Sequence, residues 1–407
     1  MASIVIKLDE LSFTSTDRIQ QITKKIINEK EKGLKVVVVV PSNQLFDENL
    51  SQYAYSISDQ PTKRELETIR STNAQIASSL LAIALNKVGH NAVSLTGWQA
   101  GISTITPKRT VLIEHIKSEN INHFLSEGTI PIIAGGQGID KENNIALLGD
   151  GGVETTAVAV AVAIEAERVD IYTNATGVFT ADPNMVKAAR KLKQISYDEM
   201  LEISHLGSKI IHPRAVELAK RYNMPLVVCS STENEPGTMI KGEVEMERNL
   251  IVRGVAYETD IIRLTVGYDS YEQASLASLF TTLAENHINI DIIVQAVIDG
   301  VKPTVSFSID KEDFAEAINV LETNKSILGF SFADFEVGLA KISIVGSGMA
   351  SNPGVAARMF ERLRKDNINV KMVSTSEIKV SVVVPQDDMV RAANALHDEF
   401  NLVEELL

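Results

Sequence analysis

The chain has 407 residues, a hydrophobic fraction of 44% and a formal net charge of −14 at pH 7. A single hydrophobic core stops growing at about 250–300 residues, so we expect two or three domains. The acidic balance argues against a nucleic-acid partner, because phosphate backbones require basic patches on the protein.

Cysteine content and the lengths of apolar runs limit the class of protein further. Cys229 is the single cysteine, so an internal disulfide is ruled out, and the seven histidines are too scattered to suggest a structural metal site. The longest apolar run, residues 157–164, is too short to cross a bilayer. The first ten residues carry charges and lack a cleavable apolar region. We therefore expect a cytoplasmic protein with no metal and no membrane partner.

The first 230 residues alternate short apolar runs with longer helical patterns. Helical periodicity covers residues 65–88 and 155–165. Strands that alternate with helices predict a parallel α/β sheet covered on both faces. The predicted buried strands are residues 3–6, 35–40, 130–134, 169–172 and 225–229.

An internal repeat follows a polar, turn-rich stretch at residues 230–248. Phe280 and Phe360 lie at matching positions of two similar segments that are 80 residues apart. Each copy has the pattern strand, helix, strand, strand, helix, strand, which predicts two small α+β domains. In the first copy the predicted strands include residues 261–266 and 288–294. The predicted domains are residues 1–235, a linker at 236–260, then 261–335 and 336–407, and a final strand that returns to the first small domain is left open.

Several runs then carry a resemblance to a known family. They include Gly177-Val178-Phe179-Thr180-Ala181-Asp182-Pro183, Ile195-Ser196-Tyr197-Asp198-Glu199-Met200, His212-Pro213-Arg214-Ala215 and Gly346-Ser347-Gly348-Met349. These runs resemble the aspartate kinase (aspartokinase) family. The resemblance implies an amino acid kinase-type three-layer αβα domain followed by two α+β ferredoxin-like ACT domains. It also implies ATP-dependent phosphorylation of the aspartate side chain, controlled by lysine or threonine at the ACT domains.

The same resemblance shows substitutions where the family places its kinase chemistry. Residues 7–12 match the family's Lys-Phe-Gly-Gly-Thr-Ser; Lys7 and Ser12 are retained, but Asp9 and Glu10 replace the two glycines. Asp150 stands for the arginine of a glycine-rich turn that ends at Glu154, and Ala74 stands for a glutamate.

The resemblance also marks nucleotide and effector positions. Lys7, Thr173, Gly177 and Lys209 match nucleotide-side positions, so nucleotide contact is expected to be weakened rather than excluded. The effector positions implied for the ACT domains are Gln295, Asn367, Asn369, Val370 and Ala274, where Ala274 replaces a glycine.

The negative charge that these replacements add is the basis of the leading hypothesis. Asp9 and Glu10 each add one negative charge, and Asp150 adds two by replacing an arginine. A pair of unit charges about 4 Å apart is worth ~4 kcal/mol at an effective dielectric near 20, which would oppose a polyphosphate strongly. We therefore expect a catalytically impaired homologue, a pseudoenzyme, that needs no cofactor. It would act as a homodimer through its ACT domains or as a heteromer with an active relative, with a small amino acid as its possible ligand.

The competing hypothesis is an active ATP-dependent amino acid kinase that is regulated through its ACT domains. It would use ATP and Mg²⁺ and would phosphorylate aspartate or a related substrate. Retained Lys7, Lys209 and the turn glycines Gly149, Gly151 and Gly152 favour it. An amine or cation bound by the new acidic residues is also left open.

Overall fold

The computed structural model describes residues 2–42, 44–107, 110–206, 210–242, 251–270, 273–297 and 302–403; of residues 44–48, 273–274 and 350–351 it describes the backbone alone. The chain divides into two compact units. Unit 1 contains Met1–Val178 and Lys191–Met246, and unit 2 contains Phe179–Arg190 and Glu247–Leu407.

Unit 1 is built on an eight-stranded sheet. Its strands are β1 (Ser3–Lys7), β2 (Lys35–Val40), β3 (Ala92–Leu95), β6 (Ile130–Ala134), β9 (Arg168–Thr173), β10 (Gln194–Ser196), β11 (Leu226–Ser230) and β12 (Thr238–Lys241). The order across the sheet is β10-β12-β11-β9-β1-β2-β6-β3. All neighbours pair in parallel except β11 and β12. The predicted parallel α/β fold is confirmed, and the five predicted strands are present.

The described residues of unit 1 also form a smaller sheet and seven α-helices. The small sheet has the order β5-β4-β7-β8, with β4 (Ile102–Ile105), β5 (Leu112–Ile116), β7 (Gln137–Ile139) and β8 (Ile145–Leu147). The helices are α1 (Thr16–Glu31), α2 (Gln44–Ile57), α3 (Lys63–Lys87), α4 (Glu119–Ser126), α5 (Gly152–Ala163), α6 (Tyr197–His205) and α7 (Pro213–Tyr222).

The central strands of unit 1 are apolar on both faces because helices cover both faces. In β1, Ile4, Val5 and Ile6 are completely buried. Ile4 and Ile6 pack in one core cluster with Ile22 of α1 and Leu81 of α3. The continuous apolar runs that predicted these strands are therefore a consequence of two-sided burial.

Unit 2 contains one six-stranded antiparallel sheet. Its strands are β13 (Gly254–Gly267), β14 (Ile293–Ala296), β15 (Thr304–Asp310), β16 (Phe332–Val345), β17 (Met372–Thr375) and β18 (Lys379–Pro385), in the order β14-β15-β13-β16-β18-β17. Its helices are α8 (Gln273–Glu285), α9 (Phe314–Thr323), α10 (Lys325–Leu328), α11 (Val355–Lys365) and α12 (Met389–Glu399).

The two long strands β13 and β16 each serve both repeats. Residues 261–267 of β13 pair with β15, whereas residues 254–258 pair only with the second half of β16. That half of β16 also pairs with β18. The second repeat thus receives its fourth strand from the segment that precedes the first repeat. A bulge, with Asp260 at φ 60°, separates the two halves of β13.

Two local differences from the predictions follow from this sheet. The predicted strand at residues 288–294 begins later, at Ile293; just before it, the Ile292 amide donates to the Ser308 hydroxyl at 3.0 Å. Within the predicted linker at 236–260, β12 and the first part of β13 are regular strands. The division of unit 2 into two domains at the stated boundaries stays a prediction.

Residues 179–190 form part of the core of unit 2. Ala181 and Val186 belong to the same buried cluster as Ile342 of β16 and Leu396 of α12. His397 of α12 is completely buried, and its Nε2 lies 2.9 Å from the Thr180 hydroxyl. The His397 Nδ1 atom is buried without a hydrogen-bond partner.

His397 predicts a loss of stability in mild acid. Burial lowers the pKa of His397 from its ordinary value of 6.5, so the unfolded chain binds the proton more readily than the folded one. The free energy of unfolding is therefore expected to fall as pH drops below about 6.5. Urea unfolding of unit 2 at pH 7.5 and 5.5 measures this effect.

His397→Gln is expected to reduce the difference between the two pH values, although it also lowers stability at pH 7.5. The control is His287→Asn, at an exposed position with φ 62°, a backbone conformation that asparagine tolerates. An equal pH dependence in wild type and His397→Gln would contradict the assignment.

Candidate functional site

The candidate site lies at the carboxyl ends of the parallel strands of unit 1. Lys7 is the last residue of β1, between Val39 of β2 and Ile171 of β9. From β1 the chain passes through α1 to β2, which pairs with β1 along one edge, whereas β9 pairs with β1 along its other edge. Ligands of open α/β sheets bind at such a crevice beyond the carboxyl ends of the strands.

Lys7 is paired with an acid from the start of a helix. Its Nζ lies 2.7 Å from Oε1 of Glu154, which belongs to the first turn of α5. The side chains of Lys7 and Glu154 are 10% and 18% exposed. A buried charge requires a partner, and each residue supplies the other's.

Glu154 stays ionised because of this pair. Burial alone would raise the pKa of Glu154, but the charge of Lys7 and its hydrogen bond outweigh burial and hold the pKa below its ordinary value of 4.5. His212 adds a smaller contribution in the same direction.

A glycine turn at residues 149–152 places Glu154. Gly149 and Gly151 have φ of +69° and +67°, which a side chain would strain. The turn leads into α5, whose first N–H groups and helix dipole attract negative charge. The retained glycines are therefore explained by backbone conformation and by the close packing of the turn.

Asp9 and Glu10, which stand where the family pattern has glycines, have different surroundings. Asp9 Oδ1 accepts hydrogen bonds from the Ser12 amide at 3.0 Å and the Ser12 hydroxyl at 2.6 Å, so it caps a short 3-10 helix. The charge of Asp9 also acts on Lys25 of α1. Glu10 is exposed. Across the described residues, no group of three or more His, Cys, Asp and Glu side chains is arranged to hold a metal ion.

Asp150 is exposed on the turn, and its backbone carbonyl accepts a hydrogen bond from Arg214. Sequence reasoning missed Arg214, which also contacts Leu148 and Val111. The signal was present, because Arg214 lies in the retained His-Pro-Arg-Ala run.

Ala74 is completely buried in α3. Its neighbours in α3 contact the residue that begins β7: Gln137 Nε2 donates to the Ser71 carbonyl at 3.0 Å, and Gln75 Nε2 donates to Gln137 Oε1 at 3.3 Å. This part of α3 therefore lies beside the turn that follows β6.

The nucleotide-side positions lie at the end of β9. The Thr173 hydroxyl accepts a hydrogen bond from the Ala175 amide at 3.0 Å. A Cβ at Gly177 would lie 2.6 Å from the Thr238 hydroxyl, so only glycine fits there. Lys209 lies outside the described residues. The roles of Lys7, Thr173, Gly177 and Lys209 in nucleotide binding stay predictions.

The predicted effector residues belong to unit 2. Gln295 is exposed on β14, at one end of the sheet order, whereas the other end is β17. Asn367, Asn369 and Val370 lie between α11 and β17, with Asn367 at φ 53°. Ala274 lies in α8, but its side chain is outside the described set. Their role in effector binding stays a prediction.

A separate groove of about 900 Å³ runs beside α1, β9 and β11 in unit 1. Its lining includes Lys25, Arg168, Tyr172 and Cys229 but none of the predicted site residues. Burial, followed by the nearby Asp170, raises the pKa of Cys229 to about 12, so the thiol stays protonated.

No described helix combines the length and the apolar character needed to span a membrane.

Comparison with known proteins covers the whole chain. Residues 2–230 match the family described as "Amino acid kinase family", and residues 342–400 match "ACT domain". The chain is 51% identical over 402 residues to "Aspartokinase" of Bacillus sp. (strain MGA3), covering 99% of this chain and 98% of the relative. It is 50% identical over 406 residues to "Aspartokinase" of Geobacillus stearothermophilus, covering 100% and 98%.

A solved structure agrees in fold. The crystal structure of E. coli aspartokinase III in complex with aspartate and ADP superimposes with a TM-score of 0.78, at 19% identity, over 97% of this chain and 99% of that one.

The expectation of a catalytically impaired homologue is wrong. Relatives that share half of the residues from end to end are named aspartokinases. The charge argument overestimated the added repulsion, because Glu10 and Asp150 are exposed to water. Two charges about 4 Å apart are worth only ~1 kcal/mol in water.

Fold, full-length similarity and the two family matches agree, and the chain belongs to the aspartokinase family, with an amino acid kinase domain and an ACT domain.

Proposed function

We propose that this protein is an active, ATP-dependent kinase that phosphorylates the side-chain carboxylate of aspartate. The observation that carries the proposal is the Lys7–Glu154 pair, with 2.7 Å between Nζ and Oε1, at the start of α5 in a chain 51% identical to an aspartokinase over its whole length. A retained cation at the carboxyl end of β1 fits a reaction that must gather negative oxygens.

The chemistry requires positioning and neutralisation more than covalent help from the protein. A carboxylate oxygen of aspartate attacks the γ-phosphorus, the bond to the β-phosphate oxygen breaks, and an acyl phosphate and ADP result. Mg²⁺, which enters with ATP, neutralises phosphate oxygens. In this chain Lys7 supplies a fixed positive charge, and Glu154 holds its ammonium group in place. The N–H groups at the start of α5 add donors.

The finer assignments belong to the same proposal. Thr173, Gly177 and Lys209 would contact the nucleotide. Residues 1–235 would form the kinase domain, and 261–335 and 336–407 two ACT domains joined through 236–260. The hydrogen bond from the Ala175 amide to the Thr173 hydroxyl and the close packing at Gly177 support the assignment of these two residues to the nucleotide.

A related substrate is a second candidate, favoured by Ala74 and Asp150. Ala74 offers a buried methyl group, and Asp150 an exposed carboxylate, where the family resemblance implies a glutamate and an arginine. Losing an arginine removes a bidentate partner for a carboxylate. An amino acid whose charged groups differ from those of aspartate would fit these replacements better.

Lys7→Met tests the catalytic proposal. Removing a cation that faces a phosphoryl group is expected to lower kcat about 100-fold or more, by analogy with the loss of one electrostatic donor. The measurement is ADP release in a coupled assay with MgATP and a panel of aspartate, glutamate and neutral amino acids. Lys24→Met, at an exposed position of α1, is the matched control. ADP release that no amino acid stimulates would refute the proposal.

Glu154→Gln tests the role of the pair in folding and its pH dependence. Removing one partner of a buried ion pair is expected to destabilise unit 1 by about 3 kcal/mol, since Lys7 is left unpaired. Because the pKa of Glu154 is lowered, its contribution is present above about pH 4.5 and is lost as pH falls through the lowered value. The difference in unfolding free energy between wild type and variant is thus expected to shrink below pH 4.5. A constant difference down to pH 3 would contradict this assignment.

Unit 2 provides the basis for regulation in this proposal. Gln295, Asn367, Asn369 and Val370, with Ala274, would contact a small amino acid such as lysine or threonine. The outer strands β14 and β17 end the sheet, and outer strands offer unpaired backbone groups to a second copy of the chain.

We expect lysine or threonine to inhibit ADP release, and Asn369→Ala to raise the half-inhibitory concentration about tenfold, as for loss of one polar contact. Asn122→Ala, exposed in unit 1, is the control. Inhibition that is unchanged in Asn369→Ala would contradict the role of this residue.

The dimer predicted through the ACT domains is measured by light scattering after gel filtration.

A further inference from the structure

We propose that Arg214 is a positioning residue that fixes the glycine turn at residues 149–152 and, through it, Glu154 and Lys7. The inference rests on the proposed kinase function and gives a role to a residue that the family resemblance had marked without assigning it one. Arg214 lies in the first turn of α7 and is partly buried.

The guanidinium of Arg214 binds backbone carbonyls. Its Nη1 donates to the Leu148 carbonyl at 2.8 Å and to the Asp150 carbonyl at 3.2 Å, and its Nη2 donates to the Val111 carbonyl at 3.1 Å. Within the described part of the chain no carboxylate pairs with Arg214. The planar fork of arginine can hold several acceptors in a fixed arrangement, which a lysine ammonium cannot reproduce.

These contacts act on the peptide groups that form the turn. The carbonyls of Leu148 and Asp150 belong to the same peptide groups as the amides of Gly149 and Gly151. A cation bound to a carbonyl oxygen polarises the peptide, which makes its N–H a stronger donor. Arg214 thus both fixes the turn and increases its positive potential on the amide side, where an anion is attracted.

His212 supports the same turn from a second direction. An ideal Cβ at Gly151 would lie 2.2 Å from Cγ of the His212 ring, so the ring packs directly against the glycine backbone. His212 Nδ1 accepts a hydrogen bond from the Arg214 amide at 3.2 Å and caps α7. The ring and the guanidinium therefore come from positions two residues apart at one helix start.

The turn transmits its position to the catalytic pair. Gly151 is the residue before α5, and its carbonyl accepts from the Thr155 amide at 2.9 Å and the Thr155 hydroxyl at 2.7 Å. Glu154 lies in this first helical turn, with Oε1 2.7 Å from Lys7 Nζ. A shift of the turn therefore shifts Glu154 and releases Lys7.

A purely structural role for Arg214, joining α7 to the sheet, predicts a different outcome. It would lower stability but leave the turnover of the folded enzyme unchanged. A positioning role predicts loss of kcat in protein that is still folded, since a displacement of about 1 Å can cost about 100-fold in rate.

The test compares Arg214→Met, Arg214→Lys and the control Arg221→Met, an exposed arginine at the end of the same helix. We expect Arg214→Met to lower kcat about 10- to 100-fold, with KM for the amino acid changed less than threefold. Arg214→Lys is expected to recover part of kcat, and Arg221→Met to equal wild type. Hydrogen exchange of residues 148–156 is expected to be about tenfold faster in Arg214→Met than in Arg221→Met.

The outcomes separate this inference from the proposed function. A wild type without amino-acid-dependent turnover overturns the proposed function, while the exchange measurement still decides the role of Arg214. Exchange at residues 148–156 that is unchanged in Arg214→Met overturns the inference, as does unchanged kcat in an active enzyme. If Arg214→Met does not fold, the same two measurements on Arg214→Lys decide.

Discussion

The ion pair between Lys7 and Glu154 joins the central strand of unit 1 to the helix that begins at the glycine turn. Both side chains are largely withdrawn from water, so neither charge is tolerable without the other. The buried apolar residues of β1 bring Lys7 to the carboxyl end of this central strand, and the glycines with positive φ bring Glu154 to the same place. The geometry of the site depends on these two separate backbone features, because together they place the two partners of the ion pair.

The surroundings of each acid determine what its charge does. Glu154 is buried beside a lysine and stays ionised below its ordinary pKa. Asp9 is occupied by two hydrogen bonds from Ser12, and Asp150 is exposed to solvent on the turn. Counting charges along the sequence treats these three carboxylates as equal, whereas dielectric and hydrogen bonding make their effects on a bound anion very different.

The fold was largely predictable from the sequence, because burial on both faces leaves continuous apolar runs such as those of β1 and β2. The repeat in unit 2 was visible for a similar reason: Phe280 and Phe360 occupy matching positions in the two copies. The sharing of β13 and β16 between the repeats was not predictable, since it depends on pairing over long sequence distances. The retained His-Pro-Arg-Ala run marks Arg214, but its role was missed because its partners are backbone carbonyls, which the run does not identify. The direction of the Asp9 side chain was not predictable either, because the family pattern has a glycine there and gives no side chain to compare with the hydrogen bonds from Ser12.

The segment Phe179–Arg190 has a consequence for how the protein can be divided. The chain leaves unit 1 after Val178, returns at Lys191 and leaves again after Met246, so unit 2 is not a contiguous stretch of sequence. A fragment that starts at Glu247 lacks Ala181 and Val186, which fill the core beside α12, and it deprives His397 of Thr180. Separating the two units therefore requires that the segment Phe179–Arg190 be transplanted onto unit 2, because a single cut in the connecting chain removes part of one hydrophobic core.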